Sequence, residues 1–232
     1  MIRNAKLLKF IGVNPKTVIH IGASRGQDRT QYILLGAEHI YWGEAFQPLA
    51  NQLQENFPID HVIWGAFTDS NTGHKTLHVS SSGTIGSRKL DIHESNFTSP
   101  SKTLDQEFGN LDLAKPIMLV IDTDGAEFEI LDGGRNFIKH VKWLVIEQYW
   151  TWDGGQWHMK LTKLAIDYGF RRVFGRISYT NDYEDVLYTK NGFATVQFSK
   201  IVDKIFYAIK QLKHVLVAGH VSSTYFHCFK CE

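Results

Sequence analysis

Apolar and polar positions alternate along the chain in blocks that predict strands and helices in turn. Val18-Ile19-His20-Ile21 is an apolar run that stops at Gly22, the pattern of a buried parallel strand feeding a turn. Asp28 to Leu35 follows helical spacing and closes at Gly36. His39 to Trp42 predicts a second strand ending at Gly43-Glu44. Pro48 to Asn56 predicts a second helix and Asp60 to Phe67 a third strand. This β-α-β-α-β order points to a doubly wound parallel sheet. Lys75 to Val79 alternates like an exposed strand. Ser80 to Pro100, rich in Ser and Thr, predicts a long loop. Ile117 to Ile121 and Lys142 to Ile146 predict buried strands, separated by a helix over Ala126 to His140. Met159 to Tyr168 predicts a helix stopped by Gly169. Arg171 to Phe174 and Asp185 to Thr189 predict an antiparallel pair at the sheet edge.

Residues 1–195 read as one domain, and 196–232 as an appended amphipathic helix and tail. Phe198, Ile201, Val202, Ile205, Ile209, Leu212 and Leu216 share one helical face, flanked by Lys200, Lys204, Lys210 and Lys213. Such a helix packs on its own domain or on a second subunit, making a homodimer. Its basic flank also suits peripheral contact with an anionic membrane. No apolar run reaches the roughly 20 residues that span a bilayer.

Composition narrows the function classes. The net charge of +1 leaves no basic footprint for nucleic acid. The two cysteines, Cys228 and Cys231, exclude a disulfide framework and fit a reducing, cytoplasmic setting. With His220 and His227 they match no common zinc spacing, so no metal is expected.

The candidate chemistry lies at strand ends. Gly22-Ala23-Ser24-Arg25-Gly26-Gln27 is a tight strand-to-helix turn with two glycines, which lets backbone amides approach a ligand. It lacks the close second glycine of dinucleotide loops, because Ser24 stands there, so a ligand without phosphates fits better. Glu44 follows Gly22 by twenty-two residues, and an acid there reaches ribose hydroxyls. Ala66 and Phe67 would border an adenine ring. Asp122, Asp124 and Glu127 place three carboxylates within six residues at the end of the clearest strand. Glu127 serves equally as a first-turn acid favoured by the helix dipole. Tyr149 to His158 carries four aromatics just beyond another strand. That segment reads either as an acceptor-binding lid or as a loop tucked down by its tryptophans. His158 reads as a helix-start residue.

These segments together resemble the FkbM family of S-adenosylmethionine-dependent methyltransferases. The resemblance rests on Val18 to Ala23 with Gly26-Gln27, on Tyr41 to Ala45 before Pro48, and on Ala66 with Asp69 and Gly73. It continues through Thr103-Leu104-Asp105, Ile121 to Gly134 and Val145-Ile146-Glu147. Ala45 replaces the family's usual Pro, and Asp124 its usual Glu. The resemblance implies a Rossmann-like class I methyltransferase fold: a mostly parallel seven-stranded sheet with helices on both faces. It implies S-adenosylmethionine held by His20, Gly22, Ala23, Ser24, Gly26, Gln27, Glu44, Ala45, Ala66, Phe67 and Asp122. Asp122 or Asp124 would take a proton from an acceptor hydroxyl, with Glu147 placing the acceptor. The implied acceptor is a sugar, a glycan or another small hydroxylated metabolite. Two other readings stand beside this one. The first is a nicotinamide-dependent oxidoreductase on a similar sheet. The second is a non-catalytic nucleoside-binding module.

Overall fold

The computed structural model describes residues 5–79, 85–86, 95–149, 156–177 and 183–190. The main sheet has seven strands: β1 (Thr17–Ile21), β2 (His39–Glu44), β3 (His61–Trp64), β8 (Ile117–Ile121), β9 (Val141–Tyr149), β10 (Arg171–Ile177) and β11 (Tyr183–Thr189). Their spatial order is β10-β11-β9-β8-β1-β2-β3. The run from β3 to β9 is parallel, whereas β11 is antiparallel to both β9 and β10. The mostly parallel seven-stranded sheet and its antiparallel edge pair agree with expectation. β1 and β8 lie side by side at the centre, and every residue of both is buried. Burial on two faces explains the unbroken apolar run of β8 and the apolar run of β1, which only His20 interrupts between Val18 and Ile21.

Side-chain parity divides the core in two. Ile19, Ile21, Leu119, Ile121, Leu144 and Ile146 meet Leu104, Phe108, Ile130 and Leu161 on one face. Val18, Met118, Val120, Trp143 and Val145 meet Leu8, Tyr32, Leu35 and Leu53 on the other. Helices α1 (Ala5–Phe10), α2 (Arg29–Leu35) and α3 (Gln47–Asn56) supply the second group. The first group draws on α4 (Leu104–Phe108), α5 (Glu127–Asp132) and α6 (Gln156–Asp167). No helix among the described residues is long and apolar enough to cross a membrane. The stripe over 197–216 and the tail to Cys231 lie outside the described residues.

Three expectations are corrected. The strand over Asp60 to Phe67 is two strands, because β3 ends at Trp64 and β4 (Ala66–Phe67) pairs instead with Ser101 and Lys102. Hydrophobic periodicity cannot register a change of partner. Second, the loop over Ser80 to Pro100 contains most of a strand, β7 (Ser95–Lys102). It runs antiparallel to β5 (His74–Val79), from His74↔Pro100 to Val79↔Ser95. Its Ser- and Thr-rich sequence lacks an apolar alternation, so pairing rather than burial creates it. With β4 and β6 (Ile85–Gly86), these strands make a second, four-stranded sheet. Third, the helix over Ala126 to His140 is interrupted. α5 ends at Asp132, and a short 3₁₀ turn covers Phe137–His140. A Cβ on Gly133 would lie 2.0 Å from the Thr68 carbonyl oxygen, so close packing on the chain leaving β4 fixes a glycine there.

Candidate functional site

The strand order reverses between β1 and β8, so the two connections leave in opposite directions and open a crevice above their C-terminal ends. Gly22 turns the chain there with φ +83°. Its N–H and that of Ala23 donate to the Gly43 carbonyl at 2.9 and 3.2 Å, while Asp122 N donates to Ile21 O at 2.9 Å. The turn is therefore stitched to both neighbouring strands. A Cβ at Gly22 would sit 1.8 Å from the Asp122 carbonyl oxygen.

Glu44, at the end of β2, braces this turn. Its two carboxylate oxygens accept the backbone N–H groups of Ser24 at 2.8 Å and Phe46 at 2.9 Å. Ser24 takes a left-handed φ of +52° to make that bond. Glu44 is only 6 % exposed. Burial raises its carboxyl above the usual range, and the N–H donors of Phe46, Ser24 and Ala45 oppose that rise.

The crevice is a cavity of about 290 Å³. Gly22, Ser24, Gln27, Glu44, Ala45, Ala66, Phe67, Asp122 and Asp124 line it, as the sequence leads one to expect. His20, Ala23 and Gly26 do not line it. His20 is buried on the core side of β1, its Nδ1 2.8 Å from the Tyr32 hydroxyl, and burial drives its imidazole down to about 3. Ala23 is fully buried, and Gly26 lies against Phe57 and Leu53. Ile21, Gly43, Leu49, Gly65, Leu77, Thr123 and Ala126 complete the wall without having been expected. Leu77 comes from the second sheet, whose pairing the sequence hides.

The cavity wall mixes polar and apolar groups. Asp122, Thr123 and Asp124 follow β8 and Glu44 ends β2, while Ala66 and Phe67 of β4 and Leu77 of β5 supply apolar surface. Among the described residues, no lysine or arginine lines it. Carboxylates suit an ammonium and a sulfonium, a strand-end acid suits a ribose diol, and the apolar groups suit a purine. A pyrophosphate would find no cation among these residues.

Beside this wall the carboxylates gather. Asp122 shares a hydrogen bond with Glu147 of β9, and Asp185 of β11 lies opposite Glu147 in register. Burial, then mutual repulsion, pushes Asp122 well above the carboxylate range. Burial likewise lifts Glu147 to about 7, although its bond to Asp122 opposes the rise. The pair thus holds a shared proton near neutrality. Asp124 takes a left-handed φ of +49° and accepts a 2.5 Å hydrogen bond from the Tyr149 hydroxyl. Burial raises Asp124 while that bond lowers it. Glu127 is fully buried and accepts from Gly125 N and Thr123 Oγ1, both at 3.1 Å, so it braces the β8 turn from the first turn of α5. Tyr149 and Asp185 were not expected among these acids. Strand parity carries a signal for Tyr149, which lies two residues beyond Glu147 on the same face.

Of the aromatic run 149–158, Tyr149 ends β9, and Gln156 to His158 open α6. Trp157 packs edge-on against Phe128 with ring centroids 4.6 Å apart. His158 Nε2 lies 3.2 Å from Glu184 Oε1 in the first turn of the helix. Residues 150–155 fall outside the described residues.

The raised carboxyls make stability depend on pH. A carboxyl whose folded-state pKa exceeds its unfolded value stabilises the fold below the unfolded value, and loses that contribution as pH rises through the folded one. For Glu147 that window runs from 4.5 to about 7. The melting temperature should fall as pH rises across it. Glu147→Gln should flatten that slope in a series of thermal melts, and an unchanged slope would show that the pair does not set it.

Comparison with known proteins agrees with this geometry. A family model, the methyltransferase FkbM domain, matches residues 20–193. No curated protein matches the sequence. Among solved structures, a Streptococcus pneumoniae protein assigned as a tRNA methyltransferase superposes with a TM-score of 0.50 at 12% identity, over 96% of this chain and 90% of its own. A methyltransferase FkbM from Methylobacillus flagellatus aligns at 17% identity and TM-score 0.49, over 76% of this chain and 43% of its own. TrmK of M. capricolum, solved with S-adenosylhomocysteine, aligns at 12% identity and TM-score 0.49, over 83% and 70%. At these identities the structures speak to the fold alone. The family model spans the glycine turn, the β2 acid and the β8 carboxylates together, and the chain therefore belongs to the FkbM family of S-adenosylmethionine-dependent methyltransferases.

Proposed function

We propose that this methyltransferase acts on a hydroxyl of a small, uncharged acceptor of the sugar or glycan class. When bound, S-adenosylmethionine supplies a methyl group already activated on a sulfonium, so the protein has mainly to hold an acceptor in line and exclude water. Gly22, Ser24, Gln27, Glu44, Ala45, Ala66, Phe67 and the β8 end would hold the donor.

The observation that carries the acceptor reading is Asp124, a carboxylate on the cavity wall whose rise through burial is opposed by the bond it accepts from the Tyr149 hydroxyl. An ionised carboxylate can take the hydroxyl proton as transfer proceeds. Asp122 suits that role less, because it shares its proton with Glu147. That pair is suited to orienting the acceptor by donating and accepting hydrogen bonds. Asp122 and Asp124 on the wall, with Glu147 bonded to Asp122 beside it, offer a polyphosphate backbone no counter-charge, which supports a small acceptor over nucleic acid.

Two measurements test this. S-adenosylmethionine and S-adenosylhomocysteine should raise the melting temperature, by the equivalent of about 2.7 kcal/mol at a hundredfold excess over Kd, whereas nicotinamide dinucleotides should not. Labelled methyl transfer should then be sought on neutral sugars, phosphorylated sugars and transfer RNA. Transfer to RNA alone would overturn the acceptor assignment. Stabilisation by a nicotinamide dinucleotide alone would revive the oxidoreductase reading.

A further inference from the structure

We propose that Tyr149 is the positioning residue that fixes Asp124 as the proton acceptor, by clamping its carboxylate from the neighbouring strand. The inference rests on the functional reading above, in which Asp124 takes the acceptor proton.

The geometry is specific. Asp124 lies in the turn after β8, in a backbone conformation that L-residues rarely adopt. Such a backbone conformation persists where the surrounding structure holds it. Tyr149, the last residue of β9, reaches across and donates its hydroxyl to Asp124 Oδ1. The same phenol is hydrogen-bonded to Glu147. Tyr149 therefore ties the β8 turn to the end of β9, which also carries one half of the shared-proton pair.

Charge makes the clamp consequential. Asp122 from β8, Glu147 from β9 and Asp185 from β11 crowd the same strand ends. Burial favours the neutral form of the Asp124 carboxyl, and the Tyr149 hydroxyl opposes that rise. A hydroxyl that donates to a carboxylate stabilises its charged form. The crowded acids thereby have different partners. Asp122 and Glu147 are hydrogen-bonded to each other, whereas Asp124 is held by the Tyr149 hydroxyl on the cavity wall.

The test titrates Asp124 directly in the full-length enzyme by carbon-13 carboxyl NMR, its resonance identified by loss in Asp124→Asn. In Tyr149→Phe the midpoint should move up by about one pH unit. With 3-fluorotyrosine at position 149, a nearly isosteric and more acidic donor, it should move down. A residue that merely fills space would shift neither, and unchanged midpoints in both would overturn the proposal. If Tyr149→Phe fails to fold, the fluorinated protein decides alone. Reciprocally, Asp124→Asn should shift the Tyr149 Cζ resonance, and no shift would count against the clamp. These readouts need no acceptor. Titration shifts in the variants, together with no thermal response of the wild-type protein to S-adenosylhomocysteine, would refute the functional reading and leave the clamp standing.

Discussion

Gly22→Ala is expected to abolish useful binding of S-adenosylmethionine, with affinity falling about a hundredfold or more, equivalent to about 2.8 kcal/mol. Two costs combine at this position. The backbone stands at φ +83°, where a Cβ is strained. The added atom would also meet the Asp122 carbonyl oxygen at 1.8 Å, well inside contact distance. That oxygen belongs to the end of β8 and cannot retreat without disturbing the turn that carries Thr123 and Asp124. The chain at Gly22 must move instead, and it breaks its bonds to Gly43 as it does. Gly73→Ala is the matched control, since it has a similar φ of +91° and nothing within 4 Å of the added atom. It should cost about 1 kcal/mol of stability and leave binding intact. Calorimetric titration of both variants with S-adenosylhomocysteine separates strain from steric exclusion. Equal affinities would refute the steric argument.

Asp124→Asn should lower turnover by about 10² to 10⁴, the usual range for loss of a general base. The amide oxygen can still accept from Tyr149, so the turn should keep its shape and the product should still bind. Asp122→Asn should lose less, because Asp122 already holds a shared proton. Once an acceptor is in hand, kcat for the two variants gives the comparison. A larger loss at Asp122 would transfer the base role to it.

The parts of this site that were legible in the sequence are those encoded by contiguous residues. Leu119 to Ile121 is a continuous apolar run, and Val18 to Ile21 one that only His20 interrupts, because both strands are buried on both faces. Gly22, Glu44, Asp122 and Asp124 stand where those runs stop, so strand ends and chemistry could be read together. What was hidden depends on residues distant along the chain. The Ser- and Thr-rich β7 is a strand only because β5 lies beside it, and Leu77 reaches the cavity only through that pairing. Gly133 interrupts a helix because Thr68 passes over it. Glu147 stands where a predicted apolar run stops, whereas its neighbours Tyr149 and Asp185 require strand parity and the β9–β11 register. His20 was drawn towards the site by its neighbours along the chain, yet its side chain points to the core because strand residues alternate.

The second sheet has an architectural consequence. The chain leaves the main core at Ala66-Phe67 and comes back at Ser101-Lys102, directly alongside, and Thr68 N donates to Lys102 O at 2.9 Å. Exit and re-entry are one strand spacing apart, so the intervening segment is a side excursion whose stem is already closed. Its length can change at small entropic cost, since loop closure grows only slowly with loop size. The excursion is nevertheless tied back to the site: Leu77 reaches the cavity wall, the Thr68 carbonyl packs on Gly133, and Lys75 pairs with Glu129 of α5. A substitution in it can therefore be felt both at the cavity wall and in the helix that follows the β8 carboxylates.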